Sequence, residues 1–332
     1  MTDSSQPGRV FQNFSKWSFH QQISSIININ FQFNFKENLM KITIRNVRPS
    51  DLSNIVAFAA ADRDDQFKYF ANNNPDFTFV AVDENDHPLG FITSWKNQVH
   101  PHHQNIRIVL SPRSIPADEV LSGLVSREQA RLDELSITLP LIVMYWEPQT
   151  RKTAYFEKQG YHIFRKTWMP DLLLDKVPLA DTALPDNVTT LREVWQRPTM
   201  KRSALTLLRE QYERVHQDNP AAHLSIENWA RNVDGELPYL DWSLATLVDG
   251  EFKALSFVFP GDAESSLDVG WLTDVDDDAH HVIDLLKIQL QLFKRTQLVS
   301  IFGELDSTDP VAMKVKQSFS WEPAPAWISL IK

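Results

Sequence analysis

Residues 139–161 read LPLIVMYWEPQTRKTAYFEKQGY, and the order of patterns in them decides the fold. The run 139–146 is apolar and rich in Ile, Val and Tyr, as a buried strand is. Glu147 and Pro148 break it. Residues 149–159 then read as a helix, and Gly160 stands where a helix C-terminus calls for positive φ. Tyr161 opens a further strand, YHIFRKTW. Strand, short helix, Gly-aromatic step and strand make one α/β unit.

Towards the N-terminus, KITIRNV at 41–47 is a predicted strand, and Pro49, Ser50 and Asp51 open a helix with Ser50 as its N-cap. Residues 77–82 and 89–95 are strands joined by the polar turn DENDHP. A strand at 106–110 and a helix at 119–135 complete the lead-in. Towards the C-terminus, the Pro- and Asp-containing stretch 172–187 reads as a linker. The pattern then restarts. VTTLREVW at 188–195 is a strand, 200–216 a long amphipathic helix and 226–232 a short one. Residues 244–248 and 254–259 form a hairpin around Asp249-Gly250-Glu251. A strand at 267–272, a helix at 281–293 and a strand at 299–305 follow, and Val311, Val315 and Phe319 stripe the face of a last helix.

At 332 residues the chain is long for one core, so two domains are expected. Hydrophobic content of 42% and charged content of 23% are ordinary for a soluble protein. No run has the apolar length of a membrane span, and no basic segment precedes an apolar stretch with a cleavage site, so a cytoplasmic protein without a membrane partner is expected. The absence of Cys excludes disulfides, thiolate catalysis and Cys-based metal sites. A net charge of −10, without a basic stripe, argues against nucleic acid. Residues 1–39 stand apart. Ile27 to Phe35 alternate strictly apolar and polar, a strand pattern with no partner nearby and an aggregation hazard if left exposed. Residues 36–40 can be encoded as a ribosome-binding sequence followed by a start, so the natural protein is expected to begin at Met40, with 1–39 a disordered or misassigned extension.

The segment Ala154-Tyr155-Phe156-Glu157-Lys158-Gln159-Gly160-Tyr161 resembles the A-x-x-F-Y-E-K-x-G-F pattern near the end of the GNAT superfamily of acyl-CoA-dependent N-acetyltransferases. The second half resembles the C-terminal domain of tandem members: Thr273, Val275 and Lys287 match one family pattern, and Asp309, Lys316 and Phe319-Ser320-Trp321 stand at the positions of another. The resemblance implies two tandem GNAT-like domains of mixed α/β (α+β) sheets, at 40–171 and 188–332. It also implies transfer of an acetyl group from acetyl-CoA to an amine of a small molecule or peptide.

In that family the fourth strand of a domain holds acetyl-CoA, and the loop after it offers backbone N–H groups at a helix N-terminus to the pyrophosphate. By this resemblance Leu110 and Ser111 in the first half, and Leu272, Thr273 and Val275 in the second, are the cofactor-binding candidates. Both loops depart from the pattern Arg/Gln-x-x-Gly-x-Gly/Ala. In the first, Ala117 and Glu119 replace the glycines, Pro116 removes a donor, and Asp118 and Glu119 are placed to satisfy the helix themselves. In the second, residues 273–281 carry four acids and no glycine. Asp274, Asp276 and Asp278 have the opening spacing of a calcium loop, but Ala279 and Leu285 occupy the places that need Gly and Glu, so the expected reading is an acidic helix start without metal. The family's usual acid, a Tyr, is Phe156 here; Tyr155 is one helical step away and reads as a core aromatic. Lys316 stands at the equivalent place of the second half, as an acid or a solvated Lys. Glu304, on the strand where family members carry a base, and Asp309 are the catalytic candidates. His100, His102 and His103 sit in a loop that reads as solvated, with zinc as the other possibility. Two functions stay open: an acetyltransferase, and a non-catalytic GNAT-fold binding or regulatory protein that has lost CoA.

Overall fold

The computed structural model describes residues 40–113, 115–178 and 184–332. The predicted strand within 1–39, and the middle of the predicted linker, lie outside the described residues.

The first half runs β1 (Thr43–Asn46), α1 (Leu52–Ala61), α2 (Phe67–Asn73), β2 (Thr78–Val82), β3 (Pro88–Lys96), β4 (Gln104–Leu110), α3 (Ala117–Glu134), β5 (Leu141–Trp146), α4 (Thr150–Lys158) and β6 (His162–Trp168). β7 (Asp171–Leu173) follows. The second half runs β8 (Val188–Thr190), α5 (Leu191–Trp195), α6 (Pro198–Val215), α7 (Ile226–Gly235), β9 (Leu244–Val248), β10 (Glu251–Pro260), β11 (Ser266–Asp274) and α8 (His280–Lys294). It ends with β12 (Ser300–Gly303), β13 (Leu305–Asp306), α9 (Pro310–Ser318) and β14 (Ala326–Ile331).

Among the described residues these strands make two mixed sheets, β1-β2-β3-β4-β5-β14-β6-β13 and β7-β12-β11-β10-β9-β8. Strands that alternate two buried faces need cover on both sides. On the first sheet, Ile55, Phe58 and Phe67 from α1 and α2 pack on Val80, Val82, Phe91 and Val109. On its other face, Leu121 and Leu124 of α3 and Phe156 of α4 pack on Phe79, Ile92, Ile106 and Val143. The second sheet is covered by α8 and α9 on one face and by α5, α6 and α7 on the other.

The sheets exchange strands. β14 lies between β5 and β6 of the first sheet, antiparallel to both, with Trp327 opposite Trp146 and Thr167. β13 pairs with β6. In return β7, from the stretch read as linker, pairs with β12, and Leu172 and Leu174 are buried in the second core. The expected division at 172–187 therefore separates stretches of sequence but not the sheets.

Three local expectations are corrected. Ser50 does not cap α1; the buried Asp51 does the local work, accepting from Arg48 N at 2.7 Å and Arg45 Nη1 at 2.8 Å. VTTLREVW is not one strand: Thr190 accepts from Glu193 N and starts α5 after three strand residues. The strand expected over 299–305 splits at Glu304, where the chain leaves one sheet for the other. α2 and β14 go unread in the sequence pattern.

Candidate active site

In both sheets two neighbouring parallel strands part company. β4 and β5 pair from Gln104↔Leu141 to Ile106↔Val143 and then separate. β11 and β12 pair from Ser266↔Ser300 to Val269↔Gly303, after which β11 runs on past β12 with only β10 as its strand neighbour. A strand left this way presents N–H and C=O groups that need partners.

In the first half those partners are its own side chains. Lys152 of α4, fully buried, donates to Ile108 O at 2.6 Å and pairs with Asp62 Oδ2 at 2.6 Å. The same Asp62 oxygen accepts from Leu110 N at 3.0 Å. Ser111 N is bonded to Leu89 O at 2.9 Å. Neither predicted cofactor residue of this half therefore offers a free amide. Asp118 is in the first turn of α3 and reaches Lys158 Nζ at 3.4 Å. Phe156 and Tyr155 both lie in the core.

The second gap stays open. β11 bulges here: Leu255 opposes Thr273 and Phe257 opposes Gly270, leaving Trp271 and Leu272 across from Ser256 alone. Trp271 has φ 48°, a left-handed backbone that costs a bulky residue about 1–3 kcal/mol and is typical of functional sites. Gly270 to Thr273 line a cavity of about 200 Å³ between the two halves. Its other walls are Tyr212 of α6 and His216 just after that helix, and Trp95, His100, Arg107 and Arg165 from the first half. Leu272, Thr273, Glu304 and Asp309 come together on this cavity. Leu110, Ser111 and Val275 do not line it; Val275 is exposed and its N–H continues the hairpin to Lys253 O at 2.9 Å.

Glu304 sits in the chain between β12 and β13. It is open to the cavity and makes no hydrogen bond or ion pair with any described residue. Desolvation by the surrounding protein raises its pKa above the usual carboxyl range, the negative charge of Asp306 adds to that, and Arg165 opposes it. Asp309 is the N-cap of α9, its Oδ1 accepting from Val311 N at 2.9 Å and Gln211 Nε2 at 3.4 Å; burial pushes its pKa up to about 6. Asp306 accepts from Thr167 Oγ1 and stands 3.9 Å from Arg165 Nη1. The Nε of Arg165 is buried without a partner.

Of the three histidines in the loop predicted to be solvated, only His102 is exposed. His100 and His103 are buried. His100 Nδ1 contacts Asn219 O at 2.6 Å and its Nε2 contacts Tyr212 Oη at 2.8 Å, so Nδ1 carries the proton and the Tyr hydroxyl donates to Nε2. His103 Nδ1 lies 3.0 Å from Asn219 Oδ1. Burial lowers His100 to about 3 and His216 to about 4, so both rings are neutral. These contacts join the halves beside the cavity. Nothing local to 97–103 signals this, because the partners lie more than a hundred residues away. Lys316, read as a solvated or acidic Lys, lies half-buried 4.2 Å from the Trp168 ring.

At the start of α8, Asp274 accepts from Val282 N at 2.9 Å and Asp278 from His280 N at 3.3 Å, so carboxylates stand where a phosphate would bind. Asp276, His280 and His281 bring ligand atoms within 4.8 Å of one another on this exposed turn. Asp278 holds His280 Nδ1 at 2.8 Å and raises the affinity of that ring for a proton, which competes with a cation.

No protein-family model and no curated protein matches the sequence. Solved structures do match the fold. A GCN5-related N-acetyltransferase from Sphaerobacter thermophilus superposes with TM-score 0.62 at 13% identity, over 88% of this chain and 95% of that one. A GCN5-related glucosamine N-acetyltransferase region of a fungal multi-domain GH3 β-N-acetylglucosaminidase gives 0.57 at 12%; this chain covers 38% of it. A tandem GNAT protein from the clavulanic acid biosynthesis pathway gives 0.50 at 12%, over 88% and 98% of the two chains. At such identities the likeness shows the fold: two mixed α/β sheets in the tandem GNAT arrangement.

Proposed function

We propose that the protein transfers an acetyl group from acetyl-CoA to the amine of a small molecule or peptide, with the second half as the working half and the first shaping the cleft. The observation that carries this reading is the open side of β11. Its residues Gly270–Thr273, beyond the last pair with β12, share one cavity with Glu304, a carboxylate that has no hydrogen bond or ion pair among the described residues.

These residues fit the pantetheine arm of the donor, which takes backbone hydrogen bonds from a strand edge; the donor supplies an activated thioester carbonyl. The chain's part is to position and to move a proton. An amine is a nucleophile only once deprotonated, and a carboxylate whose proton affinity is raised towards neutral accepts that proton more readily than an ordinary Glu. Glu304 is in the right setting for that task. Asp309 holds the first turn of α9 against the cleft and acts as a positioning residue. The phosphate end of the donor is served worse, because α8 already carries Asp274 and Asp278 on its first amides. That observation favours the second reading, a GNAT-fold binding protein that has lost CoA.

Thermal shift and calorimetry with acetyl-CoA separate the two. Acetyl-CoA at 100 times its dissociation constant should stabilise the fold by about 2.7 kcal/mol. Glu304→Gln should keep that stabilisation and lose acetyl transfer to a panel of amines. No shift at millimolar acetyl-CoA would leave the binding-protein reading in its place.

A further inference from the structure

We propose that the cavity between the halves is a binding site for a free α-amino acid, the ammonium group held by Glu304 and Asp306 and the carboxylate by Arg165. This deepens the reading above by naming the acceptor class, and it rests on the same cavity.

The argument starts from unsatisfied charge. Glu304 faces the cavity with no hydrogen bond or ion pair. Arg165 has five donors, yet its Nε is buried without a partner and its one ion pair, to Asp306 Oδ2, stands at 3.9 Å, beyond hydrogen-bond length. The buried Nε of Arg165 costs free energy until a ligand completes it, and the Glu304 carboxylate stands open to an opposite charge beside it. Arg107 also has an unpartnered buried Nε, but its charge is already answered by the buried Asp64, which holds its Nη1 at 2.6 Å, whereas the acid nearest Arg165 stands 3.9 Å away.

The spacing then selects the ligand. The guanidinium of Arg165 and the carboxylate of Asp306 stand side by side, so a ligand answering both must carry its own opposite charges equally close. In an α-amino acid a single tetrahedral carbon separates them. A simple amine leaves Arg165 unanswered, an N-acylated amino acid leaves the acids unanswered, and an ω-amino acid holds its charges too far apart. The volume of about 200 Å³ suits a compact zwitterion. The walls near it are aromatic, with Trp95, Tyr212 and Trp271 available to a side chain.

The test needs no acetyl-CoA. Thermal shift and calorimetry are run on the full chain with the proteinogenic L-amino acids, and for each one that acts, with its decarboxylated amine, its N-acetyl form and ε-aminocaproate. At least one amino acid should bind in the millimolar range or better, and the three analogues should bind at least about tenfold more weakly. Arg165→Lys, which keeps the charge and loses the planar fork, and Glu304→Gln should each weaken binding by about tenfold or more. Circular dichroism of both variants without ligand shows that they are folded. The proposal fails if no amino acid acts, or if an amine without the carboxylate binds as well. Amino acid binding without acetyl-CoA binding sinks the transferase reading and keeps this one; the reverse pattern does the opposite.

Discussion

Lys152 is the side chain on which the first half turns. It is a buried cation whose ammonium answers both Asp62 and the carbonyl of Ile108. Lys152→Met takes the cation away from the half-buried Asp62 and leaves it only Leu110 N and Gln149 Nε2, which should cost about 1–3 kcal/mol in urea unfolding. The double change with Asp62→Asn should recover much of that loss, because the stranded charge is gone. Glu304 gives a pH signature of a different kind. Its proton affinity is higher in the fold than in the unfolded chain, so the fold binds more protons across the interval between the two. Stability on its account is greatest at the acid end of that interval and falls as pH rises through it. Glu304→Gln should flatten this limb of a urea-midpoint profile, and in the wild type acetyl transfer should rise with pH over the same interval. The absence of glycine from both loops was visible in the sequence. The plugging of β4 was not, because Asp62 and Lys152 are ninety residues apart and each looks like a surface charge. The same holds for His100, whose composition of neighbours reads as a wet loop while its partners come from the other half.

At the scale of single elements, local chemistry was a good guide. Gly160 follows α4 at φ 87°, as its place after a helix demands, and Gly160→Ala should lower stability by about 1–2 kcal/mol in urea titration. Asp249 and Gly250 have φ 53° and 83° and close the β9–β10 hairpin tightly, as the turn pair requires. Where elements were misread, a competing signal was present. Thr190 and Glu193 have the spacing of a helix start, and only the β-branched run VTT made the stretch look like a strand. Thr190→Ala should cost about 1 kcal/mol for the lost cap, measured the same way. AWISLI is short, apolar and preceded by Pro323 and Pro325, so nothing in it indicates which sheet it joins. The split at Glu304 follows from that choice: the chain must cross between sheets to deliver β13 and β14.

For the whole molecule, exchange and histidines tie the halves into one folding unit. Trp327, Ile328 and Leu330 are buried, and each contributes about 1.5–3 kcal/mol of apolar burial. Together that matches much of a typical domain's net stability of about 5–15 kcal/mol. A chain stopped after Pro325 should therefore lose cooperative unfolding in both halves, as seen by calorimetry, and a peptide spanning 320–332 should restore it. The interface adds its own pH dependence. His100 and His216 are neutral in the fold at about 3 and 4, against about 6.5 when unfolded, so below pH 6.5 the unfolded chain takes up more protons. Stability should fall as pH drops from 6.5 towards 4, and His100→Asn should lessen that slope. The carboxyl limb has the opposite sign, so the profile should be domed. The tandem arrangement was legible because each half repeats the order of its elements. The cavity was legible only in part, since its second wall comes from the half that does not supply Glu304.

The place of β14 has a consequence for synthesis. Its six residues leave the ribosome after β5 and β6 have been available for the time it takes to translate more than a hundred and fifty codons, at about 5–20 residues per second. Through that interval the nascent first sheet carries a gap one strand wide, with the bare edges of β5 and β6 facing each other across it. Any extended segment of suitable pattern can dock there in the meantime, so the order of translation makes this gap the place where misassembly starts and where a chaperone has most to shield.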